Sequence, residues 1–130
     1  MFLDSAIVYG HGTDNAWDEA VYLVTSISGL PDSDQSVASE VSQEIERKII
    51  DYAERRIEER IPLAYLLGFC RYAGHRFSIK EGVVIPRSPI GLLVSEGHLK
   101  TLVGKGVRRI LDLCTGSGCL GILAAHDYPE

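Results

Sequence analysis

Asp112, Gly116 and Gly118 have the spacing in this 130-residue chain that could do chemistry. The stretch Ile110-Leu111-Asp112-Leu113-Cys114-Thr115-Gly116-Ser117-Gly118-Cys119-Leu120-Gly121 sets a carboxylate near the end of an apolar run and follows it with a glycine-rich loop. Residues 107–113 read as a strand, and Leu120, Ile122, Leu123, Ala124 and Ala125 as the beginning of a helix. A strand, a tight glycine turn and a helix start make the first crevice of a doubly wound α/β sheet, where nucleotide-like ligands lie at the carboxyl ends of the strands. Glycine serves there by taking positive φ and by leaving the ligand's approach to the backbone open. Gly116 to Gly121 also match GxGxxG, a dinucleotide fingerprint that would hold pyrophosphate on the helix N-terminus and wants an acid about 20 residues further on. A third reading is a loop that merely packs a strand against a helix.

The elements upstream must position that loop. Residues 13–30 read as a first helix, with Thr13, Asp14 or Asn15 as its cap and Trp17, Ala20, Val21, Val24 and Ile27 as one apolar face. Trp17 is expected in the core. Gly29 and Pro31 end the helix. After Asp32, Ser33 or Asp34 as a cap, a second helix is expected over 36–61, ended by Pro62. Its apolar residues Val37, Val41, Ile45, Ile49, Ala53, Ile57 and Ile61 recur every four positions, a stripe that winds about 40° per step around the helix. Residues 62–68 form a short apolar connector. Phe69-Cys70-Arg71-Tyr72 and Arg76-Phe77-Ser78-Ile79 flank a short turn containing Gly74 and read as a β-hairpin. Val83-Val84-Ile85 is extended before Pro86. Ser88 and Pro89 then open a third helix over 88–103, broken by Gly104-Lys105-Gly106.

Composition narrows the classes. The chain is 45% hydrophobic, enough for a core, and has no run of 18 apolar residues that would span a membrane. The start lacks the basic and apolar regions of a signal peptide. Cys70, Cys114 and Cys119 form no CxxC pair, and no His/Cys cluster has ligand spacing, so a reduced, cytoplasmic protein without a metal site is expected. The four histidines are scattered and form no triad pattern. Residues 1–61 hold 5 Lys+Arg against 13 Asp+Glu, a net −8, while residues 62–130 hold 8 against 5, a net +3. The acidic half is a solvated surface or the face that meets a basic partner. No direct nucleic-acid motif is visible.

Asp112-x-x-x-Gly116-x-Gly118 also resembles motif I of S-adenosylmethionine-dependent methyltransferases. That ligand carries an amino group that wants a carboxylate or carbonyls near it, and a tail that must lie against main chain. Upstream stand Ile61-Pro62-Leu63-Ala64-Tyr65-Leu66-Leu67-Gly68, the aromatic hairpin, and Val84-Ile85-Pro86-Arg87-Ser88-Pro89-Ile90-Gly91. In that order the chain closely resembles the N5-glutamine protein methyltransferase family (HemK-like), most strongly over 61–91 and 107–121. Pro86-Arg87-Ser88-Pro89 and Leu113-Cys114-Thr115-Gly116-Ser117-Gly118-Cys119 resemble the branch that methylates a glutamine of a large-subunit ribosomal protein.

The resemblance implies an α/β parent. Residues 1–67 would be an all-α substrate-recognition domain, 68–87 a hairpin linker, and 88–130 the first strand-loop-helix of a Rossmann-like methyltransferase domain. It implies S-adenosyl-L-methionine as cofactor, bound by Asp112, Cys114, Thr115, Gly116, Ser117 and Gly118, with Cys114, Thr115 and Ser117 offering mostly main chain. It implies a basic ribosomal protein as substrate. The family's Asn-Pro-Pro-Tyr, which grips the substrate amide, is absent, and Asn15 is the only asparagine. These residues therefore hold no catalytic group, and the chain reads as the inactive front end of such an enzyme, with cofactor binding at most weak. Residues 105–130, lacking the neighbouring strands, are expected to be poorly ordered or to self-associate through the open sheet edge. The alternatives are a helical protein-interaction module without catalysis and a nicotinamide-dependent Rossmann oxidoreductase.

Overall fold

The computed structural model describes residues 1–31, 33, 39–104 and 106–128. The chain divides into two compact units, Met1–Leu67 and Gly68–Glu130.

In the first unit α1 (Ala16–Ser28), α2 (Gln43–Glu58) and the short α3 (Leu63–Leu67) pack together. α1 starts where the Asn15 side-chain oxygen accepts from the N–H groups of Trp17 (2.9 Å) and Asp18 (3.0 Å), two donors the helix itself leaves free. It ends at Gly29, whose φ of 73° lets its N–H close onto the Thr25 carbonyl. Its buried residues are Ala16, Glu19 and Leu23, and Trp17 is 71% exposed. The expectation that Trp17 is a core residue is thus corrected. α1 is apolar over much of its circumference, so periodicity alone admits several faces. The face that packs is offset by one residue, about 100°, from the one through Trp17.

α2 begins at Gln43, where Ser42 Oγ accepts from the Ile45 N–H at 3.3 Å. Residues 39–42 are not helical, so the start expected at 36 is corrected; Asp32, Asp34 and Val37 lie outside the described residues. The helix stops at Glu58, three residues short of Ile61, because Arg60 turns to a φ of 57° ahead of Pro62. The connector after Pro62 is α3, which buries Leu63 and Ala64. Phe2, Ile7, Ala16, Leu23, Ala53 and Leu63 form the core, with Ile49, Tyr52, Ile57 and Leu66 packed against it. Within this unit Arg56 Nε lies 2.6 Å from Glu19 Oε1, and both side chains are buried. Arg56 Nη2 also donates to the Val8 carbonyl at 2.9 Å, fixing the irregular N-terminal segment to α2.

The second unit opens with the hairpin of β1 (Phe69–Tyr72) and β2 (His75–Ser78), paired antiparallel with Cys70 opposite Phe77 and Tyr72 opposite His75. Ala73 (φ 47°) and Gly74 (φ 78°) make a two-residue turn with both φ positive, the kind whose twist suits a hairpin. Phe69, Cys70, Tyr72 and Phe77 are buried, while Arg76 lies over the Phe69 ring at 3.8 Å. The single helix expected over 88–103 is two, α4 (Ile90–Ser95) and α5 (His98–Val103), because Gly97 adopts a φ of 72° between them. α6 (Cys119–Asp127) packs on α4 through a unit that buries Val94, Leu123 and Ala124. Lys100 Nζ ties α5 to Asp127 at 2.7 Å, and the His75 and His126 rings stack at 5.2 Å.

The strand expected at 107–113 does not form: the hairpin is the one sheet among the described residues. A parallel strand needs a neighbour reached by a crossover of a dozen or more residues, and the described residues contain none. Among the described residues, no helix is long and apolar enough to cross a membrane, and no group of three or more His, Cys, Asp or Glu could hold a metal ion.

Candidate functional site

The glycine loop folds around Asp112. Its Oδ2 accepts from Thr115 Oγ1 at 2.8 Å and from the Gly121 N–H at 3.1 Å. A Cβ on Gly121 would lie 3.4 Å from that same oxygen, so the amide and the carboxylate are packed close together. Between these anchors Cys114, Gly116 and Gly118 take φ of 58°, 56° and 76°. The Gly118 N–H closes a turn onto the Thr115 carbonyl at 2.8 Å, and the Gly118 carbonyl accepts from Ile122 in the first turn of α6. The carboxylate thus bonds to both the loop and the helix that follows.

A cleft of about 280 Å³ opens beside this loop. One side is Asp112, Leu113, Cys114, Thr115, Gly116 and Ser117 with Cys119 and Leu120; the other is residues 84–88 with Tyr72. Five of the six residues expected at the cofactor site line it together. Gly118 is not among the lining residues and instead opens α6. A Cβ on Gly116 would meet nothing nearer than the Cys114 carbonyl at 3.9 Å, so the loop's upper surface is free. Ser117 Oγ is buried and has no hydrogen-bond partner among the described residues. An orphaned hydroxyl, an uncrowded glycine and a carboxylate in one cleft leave room and polar groups for a small polar ligand.

The far wall is held by Tyr72. Its hydroxyl donates to the Ser88 carbonyl and accepts from the Gly91 N–H at 2.9 Å, joining β1 to the start of α4. Ser88 Oγ in turn accepts from the Ile90 N–H at 3.2 Å. Gly91 is buried against the Tyr72 ring so closely that any Cβ would overlap it. Burial pushes the Tyr72 hydroxyl above the ordinary tyrosine range, opposed by the Gly91 and Ser88 hydrogen bonds and reinforced by Cys119 nearby. Burial likewise raises the Cys70 thiol, with Cys119 adding to it.

Tyr72 and Arg87 line the cleft, and sequence spacing did not single them out. The Pro86-Arg87-Ser88 triplet was visible as a motif, but its place across from the glycine loop depends on the hairpin and the tyrosine that pins it.

No protein-family model matches the chain. It is 45% identical over 126 residues to the ribosomal protein uL3 glutamine methyltransferase of Bordetella pertussis, covering 95% of this chain and 42% of that protein. It is 42% identical over 136 aligned positions to the protein of the same name from Burkholderia pseudomallei, covering 99% of this chain and 43% of the relative. The chain spans less than half the length of these curated relatives.

Proposed function

We propose that this chain is the N-terminal portion of an S-adenosylmethionine-dependent enzyme that methylates the side-chain amide nitrogen of a glutamine in a protein, the substrate being ribosomal protein uL3 and the compartment the cytoplasm. The observation that supports it best is the cleft in which the Asp112-anchored loop faces Pro86-Arg87-Ser88, in a chain 42–45% identical to proteins of that name. On this reading residues 88–130 begin a Rossmann-like methyltransferase domain, 68–87 are the linker, and 1–67 recognise the substrate. When bound, S-adenosylmethionine supplies an activated methyl group on its sulfonium. The chain's own part is to bind and orient: Asp112 keeps the loop closed and Gly118 sets the start of α6, while the main chain of 114–117 and Ser117 Oγ would hold the ligand's tail. With no Asn-Pro-Pro in the sequence, none of these residues grips an amide, and the chain alone is expected to transfer no methyl group.

An NMR titration of the whole chain at millimolar ligand tests the reading. S-adenosylhomocysteine should shift the amides of 112–118 and 84–88 and NAD should not. Shifts there with NAD alone would instead favour the oxidoreductase reading.

A second reading, a protein-interaction module, draws on the first unit. There an apolar groove of about 310 Å³ is lined by Phe2, Leu3, Ala16, Trp17, Ala20 and Val24 among others, in a segment whose net charge is −8 over residues 1–61. Exposed apolar surface in a segment of net negative charge suits a basic protein. The two readings coexist if this groove is where the substrate docks.

A further inference from the structure

We infer that Arg87 reads the carboxylate of the ligand's amino-acid tail and so makes the cleft selective for tail-bearing over tail-less adenosine ligands, an assignment that rests on the cofactor reading above. Among the described residues lining the cleft, Arg87 and Asp112 are the charged ones. Asp112 already has one oxygen engaged by Thr115 and Gly121. Arg87 is exposed and has no hydrogen bond or ion pair among the described residues. Its backbone is nevertheless held: Pro86 precedes it, and the carbonyl of Ser88 after it is bound by the Tyr72 hydroxyl. A free guanidinium on a fixed stem is what bidentate carboxylate recognition needs, since its planar fork matches the two oxygens and loses less freedom on pairing than a lysine would.

The tail of S-adenosylmethionine is zwitterionic. Its ammonium is drawn toward Asp112 and its carboxylate toward Arg87, the opposite charges of the same cleft. Adenosine and the thioether carry neither group, so they gain nothing from Arg87. The residue therefore acts on discrimination and orientation, and leaves the adenosine end untouched.

Binding of S-adenosylhomocysteine and of methylthioadenosine, which keeps the adenosine and thioether but lacks the amino-acid tail, is to be measured on the whole chain, on R87Q and on R87K. The wild-type chain should prefer S-adenosylhomocysteine. R87Q should weaken that ligand roughly ten- to hundredfold, the range for a lost charge-assisted hydrogen bond, and leave methylthioadenosine unchanged. R87K should recover part of the loss, since it restores the charge without the fork. Equal effects of R87Q on both ligands, no effect on either, or a wild-type chain that binds the two equally would overturn the assignment of Arg87 alone. A wild-type chain that binds neither would overturn the cofactor reading, and Arg87 with it.

Discussion

Glu19 on α1 and Arg56 on α2 form a buried ion pair, Nε to Oε1 2.6 Å, with side chains only 3% and 4% exposed. Arg56 also serves the Val8 carbonyl, while Glu19 Oε2 has no hydrogen-bond partner among the described residues. Removing one member leaves the other charge buried and uncompensated, which costs about 3–5 kcal/mol. Glu19→Ala and Arg56→Ala should each destabilise the first unit by that amount in urea denaturation. Replacing both with apolar residues, Glu19→Leu with Arg56→Met, should recover most of it. Single variants within about 0.5 kcal/mol of the parent would show that the pair is solvated in solution.

Tyr72→Phe should destabilise the second unit by about 0.5–1.5 kcal/mol, because the hydroxyl's bonds to the Ser88 carbonyl and the Gly91 N–H are lost while that N–H keeps the Ser88 carbonyl at 3.2 Å. Gly91→Ala should be worse, since its Cβ overlaps the tyrosine ring. The raised Tyr72 hydroxyl adds a pH signature. Its neutral form is favoured in the folded state, so its contribution is full below about pH 10, the ordinary tyrosine value, and is lost as pH rises through the higher folded value. Stability of the parent should therefore fall faster in alkali than that of Tyr72→Phe. Parallel stability–pH curves above that point would contradict this.

Gly118→Val should abolish ligand binding at the cleft. A branched residue at φ 76° is strained by at least about 1–2 kcal/mol, and it sits where α6 begins. Asp112→Ala should loosen the same loop by removing both anchors. Calorimetry with S-adenosylhomocysteine checks both variants, and unchanged affinity in Gly118→Val would remove the argument from glycine geometry.

Trp17 is the only tryptophan, is exposed, and lines the apolar groove of the first unit. On the proposal that this groove docks the substrate, addition of ribosomal protein uL3 should shift its fluorescence, with an affinity that falls as salt rises. Trp17→Ala should weaken the complex by 2 kcal/mol or more, as for a central aromatic anchor (roughly the hot-spot threshold). An unperturbed emission spectrum in the presence of saturating uL3 would place the contact elsewhere.

Residues 107–113 should exchange their amide hydrogens faster than α2, since they form no strand pairing among the described residues and leave Ile110, Leu111 and Leu113 exposed. Exposed apolar side chains of this kind also invite a second copy. Sedimentation should then show concentration-dependent association that Leu111→Lys suppresses. A monomer protecting 107–113 as slowly as α2 would rule this out.

What could be read from the chain follows the range of the interactions involved. The hairpin was legible because aromatic pairs flank Ala73-Gly74, and α1 because Asn15 and Gly29 mark its ends locally. The start of α2 was not, because a four-residue apolar stripe says where a helix could run and not where a cap wins. Glu19 and Arg56 are 37 residues apart and no local pattern pairs them. In the site, the spacing from Asp112 to Gly118 was visible, but the Gly121 amide that receives the carboxylate, and the tyrosine that brings Arg87 opposite, arise only from packing.

Asp112 and Gly121 are nine residues apart and joined by one hydrogen bond, which makes the loop between them a closed ring. Bringing the ends of such a segment together costs about 2 kcal/mol of chain entropy. Here that ordering is a property of folding. A ligand at the proposed site would meet a rim already closed by this bond and would not have to supply that part of the loop's ordering itself.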